Sequence, residues 1–179
     1  MSASAPSAID LRALIRDIPD FPKPGILFRD VTPLLGNGPA FRACIEQLCR
    51  RLAPSRPQAI VGIESRGFIF GAAVAAEMGL GFVPIRKPGK LPWKTRQESY
   101  ALEYGTDTIE AHADAVAPGA RVALVDDLLA TGGTAAAAIK LLQGLGAEVV
   151  SAAFVIELDF LKGRDRLGRV PVEVLINYA

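Results

Sequence analysis

Two adjacent carboxylates and a run of hydroxyl and glycine residues lie close together near position 130. Asp126 and Asp127 follow the apolar run Val122–Val125, and the next loop opens into an apolar helical pattern. Glycines let backbone N–H groups approach a ligand, and a helix start adds unpaired donors and a positive dipole end. The loop is therefore predicted to bind a phosphate monoester. The predicted phosphate-binding residues are Ala130, Thr131, Gly132, Gly133 and Thr134.

The paired carboxylates indicate which chemical group lies next to the phosphate in the bound ligand. Asp126 and Asp127 would repel a phosphate group if they faced it, so they are expected to face a neutral, hydroxylated group one sugar away. Ionised carboxylates only accept hydrogen bonds, and the 2′,3′-diol of a ribose offers two donors. The site is thus predicted to bind a ribose 5-phosphate. The loop carries neither the Gly-Lys-Ser/Thr of a Walker A motif nor a Gly-x-Gly-x-x-Gly fingerprint. The alternative is an ordinary glycine-containing connection.

The elements around this loop alternate between short apolar strands and helices. This pattern predicts an α/β fold with a central, mainly parallel sheet flanked by helices, in which ligands bind beyond the carboxyl ends of the strands. Leu11, Leu14, Ile15 and Ile18 also predict a helix near the start. The predicted strands are Ala59–Ile63, Gly81–Ile85, Val122–Val125, Glu148–Ile156 and Val172–Asn177, a strand pair is formed by Ser99–Tyr104 with Thr106–His112, and Ile26–Arg29 is a short extended stretch. The predicted helices are one that begins near Pro39 with an apolar stripe of Phe41, Ile45, Leu48 and Leu52, then Phe68–Met78, Thr134–Leu145 and a short helix near Leu161–Leu167.

Composition narrows the class of protein. The chain has 179 residues, half of them hydrophobic, which is typical of a single soluble domain. Twenty basic and nineteen acidic residues leave a net charge of +1, which gives no support for a nucleic-acid or membrane-surface partner. One histidine and two cysteines cannot supply a four-ligand zinc site. The start lacks a basic segment followed by an apolar one, so we expect a cytoplasmic protein without a signal peptide.

Five motifs carry a resemblance to a known family, and together they span most of the chain. The stretch Val122–Thr134 resembles the phosphoribosyl-pyrophosphate motif of the type I phosphoribosyltransferases, and the set of five resembles the adenine phosphoribosyltransferase branch. The other four motifs are Phe21–Asp30, Ser65–Phe68, Arg86–Pro92 and Tyr100–Gly105. The resemblance implies the type I phosphoribosyltransferase fold as one domain over residues 1–179, with a small hood of about residues 1–36 over the base site.

The reaction implied by the resemblance joins adenine to phosphoribosyl pyrophosphate and gives AMP and pyrophosphate. Its transition state resembles an oxocarbenium ion at the ribose, as in glycoside cleavage. Ser65 and Arg66 follow a predicted strand, where Arg66 would give charge-assisted hydrogen bonds to pyrophosphate. Lys87 and Lys90 are also assigned to pyrophosphate. They lie in the basic loop, Arg86–Arg96, which is expected to close as a lid. Glu103 would exchange a proton with purine N7 as N9 attacks the sugar.

The remaining implications concern the base, the metal and the assembly. The backbone at Leu27 and Arg29 would read the edge of adenine, and Phe28 would line the pocket. Mg²⁺ is expected as cofactor, held mainly by substrate and water rather than by protein ligands. The family also implies a homodimer, to which the basic loop could contribute across the interface.

Two other functions remain open on sequence grounds. A phosphoribosyltransferase for another purine would consume guanine or xanthine faster than adenine. A non-catalytic sensor of phosphoribosyl pyrophosphate would need a DNA-binding module, for which the chain leaves no room. The glutamate at position 103 also favours an enzyme.

Overall fold

A computed structural model describes residues 9–101 and 105–179, and the chain divides into two compact units, residues 1–44 and 45–179. In the described part of the chain, every helix is too short or too polar to cross a lipid bilayer.

The first unit contains a small antiparallel sheet in which β1 (Arg16–Ile18) pairs with β2 (Phe28–Asp30). The helix predicted from Leu11 to Ile18 is wrong: a single 3₁₀ turn covers Arg12–Leu14, and the chain then becomes extended. Pro19 explains the difference, because the residue before a proline is disfavoured in the helical region. The short extended stretch predicted before Asp30 is confirmed as β2.

Two helices follow this sheet. The short α1 (Thr32–Gly36) comes first, and α2 (Gly38–Leu52) continues past the end of the first unit. Pro39 lies in the first turn of α2, where its missing N–H has no helical partner to lose. Leu48 and Leu52 are fully buried, which confirms the apolar stripe predicted for this helix.

The second unit is built on a five-stranded parallel sheet in the order β4-β3-β7-β8-β9. This confirms the predicted central parallel sheet. The helices α3 (Arg66–Met78) and α4 (Gly133–Gly144) follow β3 and β7, as strand-helix-strand units require. Ten of the eleven residues of β8 are buried, as expected of a strand covered on both faces. The strands are β3 (Ala59–Ile63), β4 (Gly81–Ile85), β7 (Arg121–Leu129), β8 (Glu148–Leu158) and β9 (Val172–Tyr178).

Strand β7 is longer than the sequence predicts. The apolar run ends at Val125, but the ladder with β8 continues through Leu128 and Leu129, which pair with Ile156 and Glu157. Leu129 is almost fully buried, so the two leucines after the acids extend the strand. Asp126 and Asp127 therefore lie inside β7, near its carboxyl end, and not in the loop after the strand, where the sequence places them.

A separate antiparallel pair and two 3₁₀ turns complete the unit. β5 (Thr95–Ala101) pairs with β6 (Thr106–His112), which confirms the predicted strand pair with an earlier start. An ion pair of 2.5 Å between Lys140 and Glu98 joins α4 to β5. The 3₁₀ turns cover Asp159–Leu161 and Gly163–Leu167, where a short helix is predicted.

Candidate functional site

The cleft of the second unit lies at the carboxyl ends of β3 and β7, which are neighbours in the parallel sheet. Parallel strands end at the same edge, so the loops that follow them meet there. The cleft has a volume of about 340 Å³. Its lining residues are Ile63, Glu64, Ser65, Arg66, Lys87, Tyr100, Asp107, Asp126, Asp127, Leu128, Leu129, Ala130, Thr131, Gly132, Gly133, Thr134 and Ala135.

The hydroxyl and glycine loop connects β7 to α4 and lines the cleft along its whole length. Gly132 caps the helix with a φ of +77°, a conformation that side chains other than glycine rarely adopt. The helix begins at Gly133, one residue before the predicted start. All five predicted phosphate-binding residues therefore lie around a helix N-terminus, where backbone N–H groups can bind an anion.

A second glycine, Gly163, lies against the backbone of this loop. A Cβ atom on Gly163 would lie 2.2 Å from the carbonyl oxygen of Ala130, and one on Gly132 would lie 2.3 Å from the carbonyl oxygen of Gly163. Only two glycines allow the backbones to approach this closely. The segment of Gly163 is held by Arg164, which donates to the buried carboxylate of Glu157 at 2.7 and 2.9 Å. Sequence reasoning missed Gly163, because it lies outside the five motifs.

The paired carboxylates differ in their surroundings. Asp127 is 4% exposed and forms an ion pair with Arg66, and its backbone N–H donates to Asp126 Oδ1 at 2.9 Å. Burial, together with the neighbouring charge of Asp127, raises the pKa of Asp126 well above its ordinary value. Two carboxyl groups thus lie side by side next to the phosphate loop, where the hydroxyl donors of a sugar can bind to their oxygens.

The loop after β3 contains a cis peptide bond between Glu64 and Ser65. Arg86 donates to Glu64 at 3.0 and 3.2 Å, and the backbone N–H of Lys87 donates to the same carboxylate at 3.1 Å. The Arg86 side chain holds the pKa of Glu64 below its usual range. This ion pair fixes the loop that carries Ser65 and Arg66, so both predicted pyrophosphate ligands lie in the cleft.

A chain of polar contacts crosses the cleft from the basic loop to the phosphate loop. Lys87 forms an ion pair with Asp107, and Tyr100 donates its hydroxyl proton to the same carboxylate at 3.0 Å. Because that proton is used, Thr134 donates to the Tyr100 oxygen, also at 3.0 Å. Burial is the main cause that raises the pKa of Tyr100. Sequence reasoning placed Tyr100 in a motif but assigned it no role, and it missed Asp107, which strand pairing places opposite Tyr100.

Lys90 differs from Lys87 in its position. Its side chain is not among the residues that line the cleft. Its backbone N–H and that of Leu91 donate to the buried carboxylate of Glu110, at 3.2 and 3.4 Å. Gln97 donates to the other oxygen of Glu110 at 3.1 Å. The buried carboxylate of Glu110 in β6 thus anchors the basic loop through hydrogen bonds from the loop backbone.

The predicted adenine-binding residues belong to the first unit. Phe28 and Arg29 lie in β2 and Leu27 just before it. The Phe28 and Phe21 rings pack edge to face, with their centroids 5.1 Å apart, and Arg29 forms an ion pair with Asp17. Glu103 lies outside the described residues.

The described residues contain no group of three histidine, cysteine, aspartate or glutamate side chains arranged to hold a metal ion. The acids of the cleft are instead paired with cations of the protein, as Asp127 is with Arg66 and Asp107 with Lys87.

Comparisons with known proteins assign the family. The phosphoribosyl transferase domain model matches residues 37–172. The chain is 57% identical over 170 residues to the adenine phosphoribosyltransferase of Rhodospirillum centenum, covering 95% of this chain and 99% of the relative. It is 57% identical over 169 residues to that of Roseiflexus sp., covering 94% and 98%.

Solved structures agree with this assignment. The adenine phosphoribosyltransferase of Thermoanaerobacter pseudethanolicus superposes with a TM-score of 0.92 at 50% identity, covering 94% of this chain and 98% of that one. That of Saccharomyces cerevisiae gives 0.87 at 43% identity, covering 92% and 96%. With this likeness along nearly its whole length, the chain belongs to the adenine phosphoribosyltransferases, within the phosphoribosyl transferase domain family.

Proposed function

We propose that the chain transfers the 5-phosphoribosyl group of phosphoribosyl pyrophosphate to adenine, giving AMP and pyrophosphate in purine salvage. The observation that carries the proposal is one cleft in which a hydroxyl and glycine loop, two carboxylates and an arginine meet. The solved relative from Trypanosoma brucei is a complex with AMP, pyrophosphate and ribose 5-phosphate, and that from Saccharomyces cerevisiae contains adenine. The N–H and hydroxyl donors of this cleft suit the phosphate groups of those ligands, and its carboxylate acceptors suit their ribose hydroxyls.

The sugar phosphate is held by the end of β7 and the loop that follows. The backbone N–H groups and hydroxyls from Ala130 to Thr134 bind the 5′-phosphate at the start of α4. Asp126 and Asp127 accept hydrogen bonds from the ribose hydroxyls. Their negative charge also stabilises the cationic sugar of the transition state.

The leaving pyrophosphate is stabilised by the loop after β3 and by the basic loop. Ser65 donates its hydroxyl, and Arg66 and Lys87 neutralise charge as the bond to the sugar breaks. Lys90 joins them when the basic loop moves over the bound substrate. These cations reduce the negative charge on the departing oxygen, so the leaving group separates at a lower barrier.

The proton on the purine is assigned to Glu103. Tyr100, three residues earlier in the chain and in the same motif, lines the cleft. As N9 attacks the sugar, Glu103 exchanges a proton with N7, acting as general acid and base. Leu27 and Arg29 read the adenine edge through their backbones, and Phe28 lines the base pocket within the hood of residues 1–36.

Mg²⁺ is proposed as the cofactor. We expect the ion to be held mainly by substrate oxygens and water, because Mg²⁺ usually keeps several waters and binds substrate phosphates. When bound with substrate, the ion neutralises part of the pyrophosphate charge.

The assembly and location are also proposals. We expect one domain of 179 residues, a homodimer and a cytoplasmic location. The two free cysteines, Cys44 and Cys49, fit a reducing compartment. Light scattering on active protein tests the dimer, and a monomeric mass would contradict it.

The reaction is tested by incubating adenine with phosphoribosyl pyrophosphate and Mg²⁺ and separating the products by chromatography. AMP and pyrophosphate are expected from the native chain, and little product from guanine, hypoxanthine or xanthine. Glu103→Ala and Asp127→Asn are expected to lose most activity. Glu98→Ala, a change at a carboxylate of β5 outside the cleft lining, serves as the matched control and is expected to retain it. Faster consumption of another purine would overturn the adenine assignment.

A further inference from the structure

Asp107 forms an ion pair with Lys87, and both residues line the substrate cleft. Its Oδ2 atom pairs with Lys87 Nζ and accepts the Tyr100 hydroxyl at 3.0 Å, while Oδ1 accepts the backbone N–H of Thr108 at 2.8 Å. Burial acts against ionisation, but the hydrogen bonds from Lys87, Thr108 and Tyr100 outweigh it and lower the pKa of Asp107. The carboxylate is therefore ionised at neutral pH.

An anion that binds Lys87 must compete with this carboxylate. The Lys87 ammonium has three N–H donors and can contact two anions, but it carries only one positive charge. The part of that charge that Asp107 neutralises attracts a pyrophosphate oxygen less strongly. The side chains of Lys87 and Asp107 are 43% and 28% exposed, so water and ligand can reach the pair. An exposed pair of this kind is weak enough to be displaced by a more highly charged anion.

We propose that Asp107 is an internal competitor of pyrophosphate for Lys87, and that it sets how tightly the pyrophosphate end of the substrate is held. The proposal rests on the function proposed above for Lys87. Asp107 acts through Lys87 and is therefore a positioning residue. Its carboxylate holds the Lys87 ammonium in the cleft before substrate binds, and the ion pair forms again when pyrophosphate leaves. Its removal is expected to tighten pyrophosphate binding, the opposite of what removal of a direct ligand does.

The contacts of Asp107 also predict which ligand should bind to the Asp107→Asn variant with unchanged affinity. The Asp107→Asn change keeps an oxygen that can accept the Tyr100 hydroxyl, so the contact from Tyr100 to Thr134 in the phosphate loop is retained. The 5′-phosphate should therefore bind as before. AMP, which has that phosphate but no pyrophosphate, is the control ligand.

The experiment is calorimetric titration of the full chain with magnesium phosphoribosyl pyrophosphate and with AMP. For Asp107→Asn we expect the first dissociation constant to fall about two- to fivefold, as the strength of exposed ion pairs implies, and that of AMP to stay within twofold. The gain should shrink at high salt, which screens the competing pair. Asp107→Ser removes the same charge and is expected to give the same sign, should the asparagine variant fold poorly.

Three controls separate the possible failures. Asp114→Asn removes an exposed negative charge just after β6 and is expected to leave both constants unchanged. Lys87→Met should weaken phosphoribosyl pyrophosphate, and adding Asp107→Asn to it should give no gain. Unchanged or weaker binding in Asp107→Asn, with Lys87→Met weakened, would overturn the competitor role. Unchanged binding in Lys87→Met would instead overturn the function proposed for Lys87.

Discussion

The guanidinium of Arg66 donates to the carboxylate of Asp127, two residues that are 61 positions apart in the sequence. This contact joins the loop after β3 to the end of β7 at the edge of the parallel sheet. Asp127 is nearly buried, so the ion pair compensates a charge that the protein would otherwise hold alone. The residue assigned to pyrophosphate and the residue assigned to the ribose are thus one structural unit before any substrate binds.

Replacing Arg66 by Gln should therefore have two effects. Loss of a charged donor to the leaving group should lower AMP formation by about 100-fold or more, the scale seen when one such donor is removed. The thermal unfolding midpoint should also fall, because Asp127 remains buried without its cation. Steady-state kinetics and thermal unfolding measure the two effects. Arg169→Gln, at an exposed arginine, is the control, and activity within threefold of native in Arg66→Gln would contradict the assignment.

Asp126→Asn is expected to stabilise the ligand-free protein at neutral pH while reducing its activity. Burial and the charge of Asp127 raise the pKa of Asp126 in the folded state. A raised pKa contributes stability that is present below the unfolded pKa and is lost as pH rises through the folded one. The amide does not ionise, so the variant avoids this loss. Binding sites often carry such a cost in stability.

Thermal unfolding of both proteins across pH measures this effect. The midpoint of Asp126→Asn should exceed that of the native chain near pH 7, and the difference should disappear in acid as Asp126 becomes protonated. A difference that stays constant with pH would show that the charge of Asp126 is not its cause.

Gly163→Ala should disrupt the phosphate loop, although Gly163 itself does not line the cleft. The added methyl group would meet the Ala130 carbonyl at 2.2 Å, so one of the two backbones must move. We expect a lower unfolding midpoint and at least tenfold weaker AMP binding, measured by calorimetry. Gly81→Ala is the matched control, since an added Cβ there meets nothing within 4 Å. Equal AMP affinity in the two variants would count against the supporting role of Gly163.

Glu110→Gln should loosen the basic loop. Desolvation opposes ionisation of this buried carboxylate, but hydrogen bonds from Gln97, Leu91 and Lys90, among others, outweigh it and lower the pKa of Glu110. Its contribution to stability is therefore present above the unfolded pKa and is lost as pH falls through the folded one. The variant should unfold several degrees lower at pH 7 and bind phosphoribosyl pyrophosphate more weakly.

The matched control for this change is Glu98→Gln. It makes the same replacement on the neighbouring strand, at a side chain that is 20% exposed and pairs with an exposed lysine. Glu98→Gln therefore loses one partly screened ion pair, which should cost less stability than the several hydrogen bonds of the buried Glu110. If the two variants unfold at the same temperature, Glu110 does not anchor the loop.

The sequence predicts the sheet and the phosphate loop well because both depend on local pattern. Short apolar runs at β3, β4 and β8 mark buried parallel strands, and the Thr-Gly-Gly-Thr sequence marks the start of α4. The end of β7 and the first predicted helix are less accurate. There, pairing of Leu128 and Leu129 with β8 and the restriction imposed by Pro19 outweigh the local pattern.

The contacts that complete the site depend on residues distant in sequence. Asp107 faces Tyr100 only through the register of β5 and β6, and Tyr100 reaches Thr134 across 34 positions. Gly163, which follows β8 in the chain, approaches the backbone of Ala130 in the loop that precedes α4. No spacing rule within one segment could identify these partners.

The backbone contact between Gly132 and Gly163 has a consequence for engineering this fold. The stretches around Gly132 and Gly163 pack backbone against backbone, with no side chain between the two glycines that could adjust to a change. A phosphate loop transplanted into another scaffold would therefore need both stretches, in register, with the glycine of the second as well as that of the first. Loop libraries built on one stretch alone would sample shapes that the other cannot accommodate.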